Sequence, residues 1–250
     1  MIIFSHFVSR ARKEHSNSIC LSIYGRTISD LCESTSQALA FRTGYLELRL
    51  DYLHSAFRNL AELPKIEAPS NQILTFRSKD EGGVSKVSDR TRKRILLKMI
   101  SNNPGALIDI EIDTLKSIPE ILDSSKSSLN ARLIASSHNF TRTEEQSLLE
   151  DLVIASVKQF SPSIVKIVRQ ANDFGDNMRL LSLYKLAERI SPTKLVAFCS
   201  GPLGIFSRIA CVSFGSPFTF ASLPGKKTAA GQLDVESMAV LLDSWETNQR

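Results

Sequence analysis

The chain has 250 residues, 42% of them hydrophobic and 23% charged, with a formal net charge of +5. Those totals suit one large α/β domain or two small ones and argue against long disorder. The basic excess is mild and spread along the chain. It favours an anionic small molecule and gives no sign of a nucleic-acid partner, and no run approaches the roughly 18 apolar residues of a membrane span.

The apolar start, Met1 to Phe4, is too short for a signal-peptide core. Cys20, Cys32, Cys199 and Cys211 are scattered without CxxC spacing, and His6, His15, His54 and His138 do not cluster with them. The expectation is free thiols in a reducing cytosol and no zinc site. Residues 1–17 read as an N-terminal extension packed on or near the bottom of the following domain.

In chain order, Ser18 to Tyr24 is a short apolar run stopped by Gly25, hence a strand. A helix follows from Thr27 to Arg42. Tyr45 to Leu50 alternates strictly: Leu46, Leu48 and Leu50 share one face, and Tyr45, Glu47, Arg49 and Asp51 the other. Such a strand is either half exposed, with a solvated charged face, or part of a barrel with its charges in the mouth. A helix is expected over 54–62. Gln72 to Arg77 is a third strand, followed by a polar loop containing Glu81-Gly82-Gly83. A helix from Asp89 to Ser101 stops at Asn102, Asn103 and Pro104.

Ala106 to Ile112 is a fourth strand, with Asp109, Glu111 and Asp113 on one side. The next helix is placed over 115–125. Arg132 to Ser136 is a fifth strand, leading into Ser137-His138-Asn139-Phe140. The helix to about Lys158 takes Thr141 or Thr143 as its cap. The sixth strand, around Ile164 to Gln170, is strongly β-branched but carries Lys166 in its middle. A parallel strand covered on both faces has no solvated side for a lysine, so Lys166 should point into a site. A helix over Phe174 to Ile190, a seventh strand Lys194 to Phe198 and a Gly-rich turn through Arg208 come next. Cys211 to Phe214 is expected as the eighth strand, and Val235 to Ser244 as the last helix.

Eight alternations of strand and helix are the pattern of a single-domain (β/α)8 TIM barrel. A doubly wound sheet would show a Gly-rich phosphate turn after its first strand, and Gly25-Arg26-Thr27 is not one. In a barrel, chemistry sits at the C-terminal ends of the strands. Glu47, Arg49, Arg77, Glu81, Asp109, Glu111, His138, Lys166, Arg208 and Gln232 fall there. Any one of these is commonly a solvated surface group, and the acids can serve simply to neutralise arginines. Together they describe a chemistry. A lysine kept partly neutral by neighbouring arginines attacks a ketone to form an imine. A histidine on the next strand moves a proton beside it, and arginines hold a carboxylate.

The motif set resembles the type I 3-dehydroquinate dehydratase family of the shikimate pathway. It comprises Glu47-Leu48-Arg49-Leu50-Asp51, Phe76-Arg77 with Glu81-Gly82-Gly83, Asp109-Ile110-Glu111, Ser136 to Phe140, Val165-Lys166-Ile167, Gly201 to Arg208 and Ala230-Gly231-Gln232. The resemblance spans about residues 18 to 245. It implies conversion of 3-dehydroquinate to 3-dehydroshikimate and water, without metal or cofactor. Lys166 would form the Schiff base, His138 would be the general acid/base, and Glu81 the acid that accompanies it. Glu47, Arg49, Arg77, Arg208, Thr228 and Gln232 would bind substrate, with Arg208 as the carboxylate clamp. The resemblance also allows a homodimer, and fusion to shikimate dehydrogenase in a longer gene product.

The last loop departs from the family's usual Ser-Ala-Pro-Gly-Gln, reading Thr228-Ala229-Ala230-Gly231-Gln232. Ser137 stands where an aromatic residue is common, and Arg169 where a smaller or apolar one is more usual. A Schiff-base aldolase on a similar barrel fits the arginine set less well. A barrel that kept its fold and lost activity should have lost Lys166, His138 or an arginine.

Overall fold

In a parallel sheet covered on both faces, alternate residues meet different environments: one row faces the helices and must be apolar, the other faces the interior. Ile19, Leu21 and Ile23, Leu46 and Leu48, Leu74 and Phe76, Ile108 and Ile110, and Val165 and Ile167 form apolar rows, all of them buried. The computed structural model describes residues 16–54, 71–122 and 132–247. Its strands are β1 (Ile19–Ile23), β2 (Tyr45–Arg49), β3 (Gln72–Thr75), β4 (Leu107–Glu111), β5 (Arg132–Asn139), β6 (Ile164–Gln170), β7 (Lys194–Ser200) and β8 (Thr219–Ser222).

Neighbouring strands pair in parallel from β1 through to β7, and β8 pairs with β1. The result is a nearly closed, single-domain (β/α)8 barrel. Among the described residues β7 and β8 share no ladder. Their seam is filled by Phe198 against Phe220, with ring centroids 6.1 Å apart. It is tied at the rim by a hydrogen bond from Gly201 N to the Ala230 carbonyl, 3.3 Å.

The helices between strands are α1 (Ile28–Leu39), α2 (Asp89–Asn102), α3 (Ile112–Ser117), α4 (Gln146–Phe160), α5 (Phe174–Ser182), α6 (Ala187–Ile190), α7 (Ile205–Ala210) and α8 (Val235–Thr247). Local chemistry sets their ends. Thr27 caps α1 by accepting from Asp30 N, while the Asp30 carboxylate accepts from Thr27 N, a reciprocal capping box. Asp173 and Asp176 do the same for α5. Ser88 caps α2, which buries Ile95, Leu96, Met99 and Ile100 on the barrel side. No helix among the described residues is long and apolar enough to cross a membrane.

Several expectations need correction. Cys211 to Phe214 is not a strand. It is a 3-10 turn continuing α7, closed by Gly215 at φ 103°. A four-residue apolar run carries too little periodicity to separate helix from strand. The eighth strand is Thr219–Ser222, just past the Gly215-Ser216-Pro217 break. Asp113 does not continue the face of Asp109, because the chain turns into α3 at Ile112. That helix starts earlier than expected, and the end of the range 115–125 lies outside the described residues. α4 begins at Gln146 with neither Thr141 nor Thr143 as cap; the acceptor in the preceding turn is Asn139 Oδ1, which takes Thr141 N and Arg142 N. The helix expected over 174–190 is interrupted by a 3-10 turn at Leu183–Leu186. Residues 1–15 of the expected N-terminal extension, and the expected helix over 54–62 past His54, lie outside the described residues.

The capping box gives a direct stability test. Thr27→Ala should lower the unfolding free energy by about 1 kcal/mol. Urea unfolding should show this as a lower midpoint with unchanged slope.

Candidate active site

The barrel's inner row turns from apolar to charged toward the C-terminal ends of the strands. Glu47, Arg49, Arg77, Asp109, Glu111 and Lys166 are all buried. At the centre, Asp109 accepts from three donors: Lys166 Nζ at 2.9 Å, Arg77 Nη2 at 2.9 Å and Ser136 Oγ at 2.6 Å. Burial alone would raise its pKa. Arg77 and Lys166 overcome that and hold the carboxyl well below the usual carboxylate range. Lys166 Nζ also lies 4.3 Å from the centre of the Phe220 ring.

This changes one expectation. The group bonded to Lys166 is a carboxylate, not a crowd of arginines. Arg49 is occupied by a two-pronged bond to Asp51, at 2.9 and 3.0 Å. Arg77 is occupied by Asp109 and by Glu111. Glu111 in turn holds Arg92 and accepts from Ser78 N at 2.8 Å.

His138 stands at the end of β5. Its backbone N donates to Glu81 Oε2 at 2.8 Å, and its Nδ1 lies 2.7 Å from the same oxygen. Glu81 belongs to a 3-10 turn, Lys79–Glu81, that the chain closes with two glycines. Gly82 has φ 86°. A Cβ on Gly83 would sit 2.1 Å from the Arg77 carbonyl oxygen, so only glycine lets the turn fold back onto β3. Burial pushes the Glu81 carboxyl up to about 8, although Arg77 works against it. Burial, reinforced by Arg77, Lys166, Arg169 and Arg49, holds the imidazole well below its usual range. His138 is therefore neutral at physiological pH. Phe140 stacks beside it, with ring centroids 5.9 Å apart.

Arg208, on α7, is the cation left over. It is 2% exposed, and its guanidinium lies 4.4 Å from the centre of the Phe198 ring. Nε has no hydrogen-bond partner, and among the described residues no carboxylate pairs with the side chain. Burial pulls its pKa down to about 10. A desolvated guanidinium with a free donor has the chemistry to pair with a planar anion.

The loop after β8 completes the wall. Gly231 (φ 71°) passes so close to the loop after β7 that a Cβ would sit 2.3 Å from the Gly201 carbonyl oxygen. Gln232 Oε1 accepts from Thr228 N at 2.8 Å and Thr228 Oγ1 at 3.0 Å. This leaves the amide nitrogen as its remaining donor. Thr228 Oγ1 is 3.2 Å from Ser22 Oγ. Ser22 and Thr75 both donate to Glu47. Thr228 thus keeps a hydroxyl at the family's serine position and links the loop to the barrel interior.

A cavity of about 210 Å³ lies among these groups. The nine side chains singled out in the sequence as site residues, Glu47, Arg49, Arg77, Glu81, His138, Lys166, Arg208, Thr228 and Gln232, all line it. Sequence reasoning did not place Asp109 at the centre, nor Ser22, Thr75 and Ser136 as hydroxyl links, nor Phe198 and Phe220 beneath the cations. For the first four, the strand alternation that exposed Glu47 carried the signal. Phe220 was hidden by the misplaced eighth strand.

Residues 19–249 match the family model described as type I 3-dehydroquinase. A 3-dehydroquinate dehydratase of Methanococcus maripaludis strain C5 is 32% identical over 226 residues, covering 90% of this chain and 98% of that protein. The crystal structure of 3-dehydroquinate dehydratase from Geobacillus kaustophilus superposes with a TM-score of 0.83 at 22% identity, covering 93% of this chain and 92% of that one. The structure of dehydroquinate dehydratase and shikimate dehydrogenase from S. pombe matches with a TM-score of 0.72 at 21% identity, covering 92% of this chain and 45% of that one. Fold, family model and relatives agree, and the chain belongs to the type I 3-dehydroquinase family, as a hydro-lyase of that family.

Proposed function

We propose that the cavity binds 3-dehydroquinate and removes water from it through an imine on Lys166, with His138 moving the protons. The observation that carries this reading is one cavity holding a lysine amine, a neutral imidazole and a buried guanidinium that has no carboxylate partner among the described residues. The substrate supplies a ketone for the first and a carboxylate for the last.

Lys166, ion-paired with Asp109 in the free protein, adds through its nitrogen to the ketone carbon and passes two of its three N–H protons to the ketone oxygen, which leaves as water, giving a protonated imine. His138 takes the proton on the adjacent carbon; the C–H pair becomes a C=C bond to the imine carbon and the C=N π pair moves onto nitrogen, leaving an enamine. The enamine returns the pair and expels the β-hydroxyl, which leaves as water with the proton from His138. Water then hydrolyses the imine and frees the enone and Lys166.

The Glu81–His138 pair suits both proton transfers. With Glu81 ionised, Nδ1–H donates to it and Nε2 is free to act as a base. With the carboxyl protonated, it donates to Nδ1 and Nε2 carries a proton to give. A carboxyl pushed up to about 8 keeps both forms within reach at neutral pH. Asp109 orients the amine but, held so acidic, stores no proton itself.

We place the reaction in the cytoplasm, a reading supported by four cysteines that are all free thiols. A homodimer, or coupling to a shikimate dehydrogenase as in the S. pombe protein, belongs to the same proposal.

Borohydride added during turnover of 3-dehydroquinate should leave a covalent adduct on Lys166, located by mass spectrometry. A Lys166→Ala variant with full activity and no adduct on the native protein would sink the mechanism. His138→Ala should lose roughly 10²–10⁴-fold in kcat while still forming the adduct. Unchanged turnover would remove its role.

Arg208→Ala gives up charge-assisted bonds worth about 1.5–3 kcal/mol. KM should therefore rise roughly ten- to hundredfold. An unchanged KM would show that the carboxylate binds elsewhere.

A further inference from the structure

β5 pairs with β6 as far as Asn139, three residues past its expected end at Ser136. The inner face of this extension carries His138. Its outer face is held by a group that the family resemblance does not provide. Arg169 Nε donates to Glu144 Oε2 at 2.5 Å, Nη1 to the Ser137 carbonyl at 2.8 Å, and Nη2 to Ser137 Oγ at 3.1 Å. The other oxygen of Glu144 accepts from Asn139 Nδ2 at 3.0 Å. One guanidinium–carboxylate pair therefore grips the residues on both sides of His138.

Arg169 is 2% exposed, on the strand face where Val165 and Ile167 are apolar. Packing there would be served at lower cost by another apolar residue, because burying a guanidinium costs solvation that a pairing with the partly exposed Glu144 does little more than offset. What the planar fork adds is direction: it fixes several acceptors at once.

We propose that Arg169, through Ser137 and Glu144, is a positioning residue that holds His138 in place relative to Lys166 for proton transfer. The inference rests on the reading of the cavity given above. The imidazole is faced by Glu81 from the turn after β3, by Arg77 at the end of that strand, by Arg49 on β2 and by Lys166 on β6. Asp109 and Glu111 on β4 are bonded to Arg77. Arg169 adds one further cation from the outside, and like the others it opposes charging of the ring.

The test compares Arg169→Met, Arg169→Met/Glu144→Gln and Arg169→Lys with the native protein. The double variant controls for the carboxylate left unpaired in the single one. In both Met variants kcat should fall roughly ten- to hundredfold, as expected for a misplaced proton carrier. KM should stay within about twofold, and adduct formation at Lys166 should match the native level. The His138 titration, followed by NMR and assigned by its loss in His138→Asn, should move to higher pH, and so should the acidic limb of kcat/KM. Arg169→Lys keeps the charge and loses the fork, so it should hold the titration while kcat still drops.

An unchanged kcat overturns the proposal. So does a joint fall of kcat, adduct yield and melting temperature in all three variants, which would mark a role in stability alone. If the native protein does not dehydrate 3-dehydroquinate, the functional reading fails instead. The placement of the ring is then read directly: an unchanged NMR shift and solvent exchange of the His138 ring proton shared with Glu81, in both Met variants and in Arg169→Lys, overturns the positioning role.

Discussion

The site depends on one carboxylate that cannot be left alone. Asp109 is fully out of solvent, where an unpaired charge costs several kcal/mol. It is tolerable only because Arg77, Lys166 and Ser136 converge on it. The dependence runs the other way too. Lys166 has a fixed direction because Asp109 defines it, and Arg77 is drawn inward instead of reaching for solvent. Removing one partner would leave the others charged and unsatisfied, so the cluster behaves as a unit. Clusters of this kind add little net stability over an apolar core. Their value lies in allowing a single arrangement of the groups they contain.

Around that centre the polar groups sort into those already satisfied and those held in reserve. Arg49, Arg77 and Glu47 are bonded within the chain itself. They shape the cavity and its field. Arg208 lies over an aromatic ring with a donor unused, and His138 is kept neutral by burial and by surrounding positive charge. In the proposed reaction, ligand binding and proton movement fall to the groups that folding leaves incomplete. Glu81 lies between the two classes: its carboxyl holds the backbone of the residue whose ring it serves.

Much of this was legible in the sequence for a simple reason. A parallel barrel strand has no solvated face, so any charge within it must be explained; Lys166 was conspicuous at once, while Glu47 and Arg49, on a strand that also read as half exposed, became so only once eight alternations pointed to a barrel. The alternation of Asp109 and Glu111 was equally clear, but which cation each would meet depends on register across strands far apart in the chain. That information is not local. The eighth strand was misread because Cys211 to Phe214 is apolar without being long enough to show a period. Arg169 was visible as an oddity, but its outward direction became definite only with Glu144 in place, 25 residues earlier in the chain.

The open seam between β7 and β8 bears on how the two ends of a bound molecule are measured. Everywhere else around the barrel, main-chain ladders fix the spacing of the strands. Here Phe198 and Phe220 do so by ring contact, and these are the rings beneath Arg208 and Lys166. The distance from the Lys166 amine to the Arg208 guanidinium is thus gauged by two neighbouring aromatic side chains. That gauge is set by the volume of those two residues, so a change of ring size there would alter which lengths of ligand fit while leaving every strand pairing intact.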